Sequence, residues 1–93
     1  MRVTIKMLES RVAYLNKITN SPASCYDHNK DGKWIANIGN YHLDGAYGGY
    51  KLCRVTSEGG AVTNVLNCGY ETKRDLLKLI EAFQRGIEET QAA

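Results

Sequence analysis

Apolar residues recur at helical spacing at both ends of the chain, and the middle follows a different rule. Ile5, Leu8, Val12, Leu15 and Ile18 step by three and four, which places them on one stripe of a helix over about 4–20. Thr4 suits its N-cap, and Ser21-Pro22 predicts its end, because the residue before a proline resists the α region. A second stripe, Leu76, Ile80, Phe83 and Ile87, widened by Leu77 and Leu79, predicts a helix over about 72–88. Thr72-Lys73-Arg74-Asp75 opens it as a variant capping box, and Gly86 with the polar run after it predicts fraying.

Between the stripes, alternation replaces the helical period. Trp34, Ala36 and Ile38 alternate with outward positions and predict a half-buried strand, preceded by a turn at Asn29-Lys30-Asp31-Gly32 and closed by Gly39-Asn40. Tyr50 to Thr56 and Ala61 to Asn67 flank Ser57-Glu58-Gly59-Gly60 as the arms of a hairpin. Closing it there sets Thr56 opposite Ala61 and Cys53 opposite Asn64, so Cys53 and Cys68 are not direct partners. The expected fold is α+β: helix, three- to four-stranded antiparallel sheet over about 33–68, helix. It forms one two-layer domain over 1–93, with both helices on one sheet face. No repeat, linker or low-complexity run interrupts it.

Composition narrows the classes of function without choosing one. The 93 residues suit a single small domain, for which dimerisation would usefully add core. Twelve basic against ten acidic residues, with 43% apolar, exclude a histone-like tail, a strongly acidic nucleic-acid mimic and a disordered chain. No apolar run approaches the ~20 residues of a membrane span, and the start lacks a secretory apolar region, so a cytoplasmic protein is expected. Three cysteines without a tight pair suit reduced thiols.

Most candidate chemistry has an ordinary explanation. Asp27-x-Asn29-x-Asp31-Gly32 matches the first half of a calcium loop, yet Ile38 stands where the bidentate glutamate belongs, so a polar turn is expected. Cys25, His28, His42, Cys53 and Cys68 supply at most one tight ligand pair, where a zinc site normally needs two. A Cys25–His28 nucleophile pair lacks an orienting base and an oxyanion hole. No catalytic residue, metal or cofactor is expected, and the chain is read as not an enzyme.

The informative stretch is 37–50. Eight of nine glycines and five of six tyrosines fall between residues 26 and 70. Structural strands avoid so many glycines, whereas a site that admits a ligand close to backbone uses them. Tyr41, Tyr47 and Tyr50 would stack on or line such a ligand, and Asn40 and Asp44 would read its polar edges. Lys73 and Arg74 at a helix N-terminus, with Arg54 on the strand after the tyrosines, would hold phosphate. The competing reading is a bulged, tightly turned strand whose tyrosines pack on the helices.

Asn37-x-Gly39-x-Tyr41-x-Leu43-x-x-Ala46-Tyr47-Gly48-Gly49-Tyr50-x-Leu52, with Gly59-Gly60 and Thr72-Lys73-Arg74-Asp75-Leu76, resembles small accessory proteins of tailed bacteriophages. The resemblance spans about residues 1–85, and the opening Met1 to Lys6 belongs to it. It brings no established activity. It implies a phage protein in the cytoplasm of the infected host, acting stoichiometrically against host defences. Its partner would be a small anionic ligand such as a nucleotide immune signal, or a host defence protein. A homo-oligomer is expected, because 93 residues rarely enclose a nucleotide alone. The helix–strands–helix order is also similar to a double-stranded-RNA-binding domain, although the low net charge departs from that pattern.

Overall fold

The computed structural model describes residues 2–28, 30–66 and 69–92. Helix α1 (Ile5–Ile18) starts at Thr4, whose hydroxyl accepts the Met7 N–H at 3.3 Å while the Met7 sulfur takes the Thr4 N–H at 3.5 Å. It ends two residues earlier than proline alone would require. Asn20 adopts φ 55° and the Ser21 N–H reaches back to the Asn16 carbonyl at 2.8 Å, a left-handed C-terminal cap that shuts the helix before Pro22 acts. Leu8, Val12 and Leu15 of the stripe are buried.

The main sheet is β3 (Tyr41–Ala46), β4 (Gly49–Val55) and β5 (Val62–Asn64), antiparallel in that order, after a smaller hairpin of β1 (Tyr26–His28) and β2 (Trp34–Ala36). Helix α2 (Lys73–Ala92) follows, opened by Thr72, whose Oγ1 accepts the Asp75 N–H at 3.2 Å. It runs past Gly86 without a break, and the Gln91 amide donates to the Ile18 carbonyl, tying the ends of the two helices together. The chain is thus an α+β domain with both helices on one face of the three-stranded sheet. Tyr41, Leu43, Tyr50 and Leu52 on that face pack against Leu8, Val12 and Leu15 of α1 and Leu76, Leu77 and Ile80 of α2.

The β4–β5 turn sets the expected register: the Thr56 N–H donates to the Ala61 carbonyl, and Cys53 pairs with Asn64. Cys68 lies outside the described residues. The β3–β4 connection is tighter than the sequence announces. Tyr47 and Gly48 form a two-residue turn with φ 53° and 74°, the doubly left-handed geometry that matches strand twist. Just beyond it the backbone of Glu71 pairs with Tyr50. A Cβ on Gly49 would lie 3.0 Å from the Tyr70 and Glu71 carbonyls, so only glycine lets that segment lie down beside β4.

The expectation of a half-buried strand carrying Trp34, Ala36 and Ile38 needs correction. Ala36 is buried, while Trp34 and Ile38 are exposed. This strand pairs with β1 in a separate hairpin, around a turn in which Gly32 takes φ 77°, and no helix covers its aromatic face. Asn29, the first residue of the turn expected from sequence, lies outside the described residues.

Candidate binding surface

The eight residues singled out from sequence fall at opposite ends of the β3–β4 hairpin. Asn40, Tyr41 and Arg54 sit at its base. Asn40 is 1% exposed. Its amide donates to the Pro22 carbonyl at 2.8 Å and its Oδ1 accepts the Cys25 thiol at 3.1 Å. It fastens the 22–25 loop to the sheet. Tyr41 is 5% exposed, with its ring edge-on to Phe83 and the Arg54 guanidinium 4.8 Å above it. Arg54 also donates from Nε to the Gly39 carbonyl at 3.2 Å. These groups are engaged within the fold, and none of the three forms an open stacking platform.

Asp44, Tyr47 and Tyr50 lie toward the tip. Tyr50 is half-buried, and its ring crosses Gly45 so closely that a Cβ there would sit 3.1 Å from it. Tyr47 is 95% exposed and edge-on to Tyr70, ring centroids 5.5 Å apart. The Tyr70 hydroxyl donates to Asp44 Oδ2 at 2.7 Å, and Lys51 Nζ stands 3.9 Å from the same oxygen and 4.6 Å from the Tyr70 ring centre. The hydrogen bond to Asp44, then desolvation, pushes the Tyr70 phenol above its ordinary range, so it stays a neutral donor at physiological pH. Lys73 and Arg74 begin α2 just past the Glu71 backbone bridge to Tyr50, which brings the helix N-terminus to this end of the sheet.

Sequence reasoning missed Tyr70 and Lys51 as members of this cluster. Lys51 had a usable signal, since it alternates with the inward Tyr50 and Leu52 and pairs directly with Asp44 across the hairpin. Tyr70 had none, because its approach depends on how the segment before α2 lies beside β4.

A second exposed surface lies on the β1–β2 hairpin. Trp34 is 67% exposed, with the His28 ring 3.7 Å from it and Tyr26 edge-on at 6.4 Å. Ile35 and Ile38 are exposed nearby in sequence. The structure cuts this strand to three residues paired only with the equally short β1, a length that the six residues between Gly32 and Gly39 did not announce.

For catalysis or metal binding the described residues offer little. They contain no group of three His, Cys, Asp or Glu side chains placed to hold a metal ion. Burial pushes the Cys25 thiol up, the opposite of what a nucleophile needs, and His28 is stacked on Trp34. No helix of the described residues is long and apolar enough to cross a membrane. Compared with known proteins, the chain matches no family model, and no curated protein or solved structure shows significant similarity to it.

Proposed function

We propose that this chain acts by stoichiometric binding of a protein partner through its aromatic hairpin, and does not turn over a substrate. One observation carries the reading: Trp34 stands two-thirds exposed, flanked by the His28 and Tyr26 rings, where the fold's own helices do not reach. Tryptophan and tyrosine are the residues that most often dominate binding energy once a partner desolvates them. With the resemblance to tailed-phage accessory proteins, the partner is a component of bacterial defence, met in the cytoplasm of the infected host. The test is capture from bacterial lysate, followed by titration calorimetry with the purified captured protein. Fixed stoichiometry is expected, with a loss of at least tenfold for Trp34→Ala at a temperature where the variant is still folded. Equal affinity of that variant would sink the assignment.

One observation favours a second reading, sequestration of a nucleotide at the hairpin tip. Tyr47 is open to solvent beside Tyr70 and Lys51, and the α2 N-terminus with Lys73 and Arg74 starts at the same end of the sheet. Thermal unfolding against cyclic and linear nucleotides, with a short RNA duplex as control, separates the two. A ligand at a hundred times its dissociation constant stabilises by about 2.7 kcal/mol, and Tyr47→Ala would abolish that shift. Flat curves at saturation remove this reading and leave the first untouched.

A further inference from the structure

We propose that the outer edge of β3 is a strand-addition site for an extended segment of a partner protein, with an apolar–basic–apolar pattern. The inference is independent of the aromatic hairpin. The Val55 N–H donates to the Asn40 carbonyl at 2.9 Å, and a two-residue turn closes the hairpin between Ala46 and Gly49. With antiparallel parity fixed at both ends, the Asn40 carbonyl and the backbone groups of His42, Asp44 and Ala46 aim at β4, and those of Tyr41, Leu43 and Gly45 aim outward.

The fold covers the first of these outward positions. Asn16, buried on the α1 stripe, donates from Nδ2 to the Tyr41 carbonyl at 3.0 Å and accepts the Tyr41 N–H at 2.8 Å, imitating a neighbouring strand. The outward N–H and C=O groups of Leu43 and Gly45 have no partner among the described residues. They open onto a groove of about 450 Å³ walled by Ile5, Val12 and Ala13 of α1 and by Tyr50, with Glu9 its one acidic or basic side chain apart from His42. Two donors and two acceptors at two-residue spacing along one edge are complementary to an extended backbone.

Alternation then dictates the occupant's side chains. Residues opposite Leu43 and Gly45 point to the helix side, into the apolar groove, while the residue between them points to the face that carries Asp44. Asp44 is partly exposed on that face and has Lys51 on its β4 side only, so a lysine or arginine opposite it on the open side makes the favourable cross-strand pair. A second copy of β3 does not meet these terms. Pairing Leu43 with Gly45 of a second copy in both directions sets Asp44 against Asp44 at the close, non-hydrogen-bonded spacing, and like charges there repel. Centring the pair on Leu43 instead matches Gly45 with Tyr41, whose groups Asn16 already occupies.

The test uses a synthetic acetylated Thr-Val-Lys-Val-Thr amide, titrated into the isotope-labelled chain while backbone amide signals are followed. Leu43 and Gly45 amides are expected to shift and to gain exchange protection. Affinity should fall at least tenfold for the Val-Glu-Val peptide and for one N-methylated at its two valines. Asp44→Lys should invert the charge preference, and Trp34→Ala should leave binding unchanged, which separates this site from the aromatic hairpin. Undisturbed Leu43 and Gly45 amides at saturating peptide, or equal binding of the N-methylated peptide, would overturn the proposal. So would a dimer in which both amides are already protected without peptide.

Discussion

The two hairpins of this chain are built from the same materials, and the helices treat them differently. Both have a connection containing a positive-φ glycine, aromatic residues on short strands, and alternation of side chains across the ribbon. In β3–β4 the alternate residues Tyr41, Leu43, Tyr50 and Leu52 meet two helices and become core. In β1–β2, Tyr26, Trp34 and Ile35 remain exposed, and Ala36 alone is buried. A tyrosine or tryptophan on a strand is therefore core or contact surface according to what lies above it. The residues that looked most like a ligand platform include one that closes the core, and the strand that looked half-buried presents the open aromatics.

The sharpest way to break this contrast is to cut one residue from each hairpin. Leu52→Ala removes a fully buried side chain facing both helices and should cost about 2–5 kcal/mol in urea unfolding. Trp34→Ala forfeits two ring contacts on an exposed surface and should cost about 1 kcal/mol or less. Comparable losses would mean that the small hairpin is part of the core and would withdraw its role as a binding surface.

The next largest effect falls on the polar plug of the β3 edge. Asn16→Leu keeps the size of the side chain while leaving the Tyr41 N–H and carbonyl without their partner in a buried setting. Stability should drop by about 1–3 kcal/mol, with amide exchange accelerating at Tyr41 ahead of the β4 amides. A variant as stable as the parent would show that water reaches this edge, and that the closed and open halves of β3 do not differ.

Both helices were legible in the sequence because their signals are local: the stripe spacing and the threonine caps sit within a few residues of what they control. The pairing of Cys53 with Asn64 was legible for the same reason, since four turn residues set it. What escaped depends on contacts between distant parts of the chain. Alternation tells which residues share a face and cannot tell which face a helix will cover, so Trp34 and Tyr41 exchanged their expected places. The cluster of Asp44, Lys51 and Tyr70 joins residues up to 26 positions apart through one hydrogen bond and one ring contact. The Tyr47-Gly48 turn was hidden for another reason: tyrosine is an uncommon residue at positive φ, so the Asn-Gly or Gly-Gly signature of such turns is absent.

That uncommon residue supplies a smaller and opposite effect. Tyr47→Asn installs Asn-Gly in a turn that already has the matching geometry, and it removes a ring whose main contact is the exposed edge of Tyr70. An L-residue with a bulky side chain is held in the left-handed region at a cost of about 1–2 kcal/mol, part of which asparagine relieves. The variant should therefore gain about 0.5–1 kcal/mol. A gain in stability with loss of nucleotide response would mark Tyr47 as retained for binding at the expense of the fold. A loss of stability would make the Tyr47–Tyr70 contact structural and would align the tip with the core.

The smallest effect concerns His42, which lines the open groove beside Leu43 and whose Nδ1 has no hydrogen-bond partner. Burial lowers its pKa, against the opposing pull of the Asp44 carboxylate and the Asn40 backbone. In the unfolded chain the imidazole titrates near its ordinary value of about 6.5. Between the folded and unfolded values the unfolded state binds more protons, so stability falls as pH drops through that range and levels off below the folded value. Urea midpoints at pH 7.5 and 5.5 should therefore differ more for the parent than for His42→Gln. If both proteins respond equally, the imidazole is already hydrated and the groove is wet down to the strand edge. An extended segment bound along β3 would then have to displace that water, and its affinity would rest on the backbone rungs more than on apolar burial.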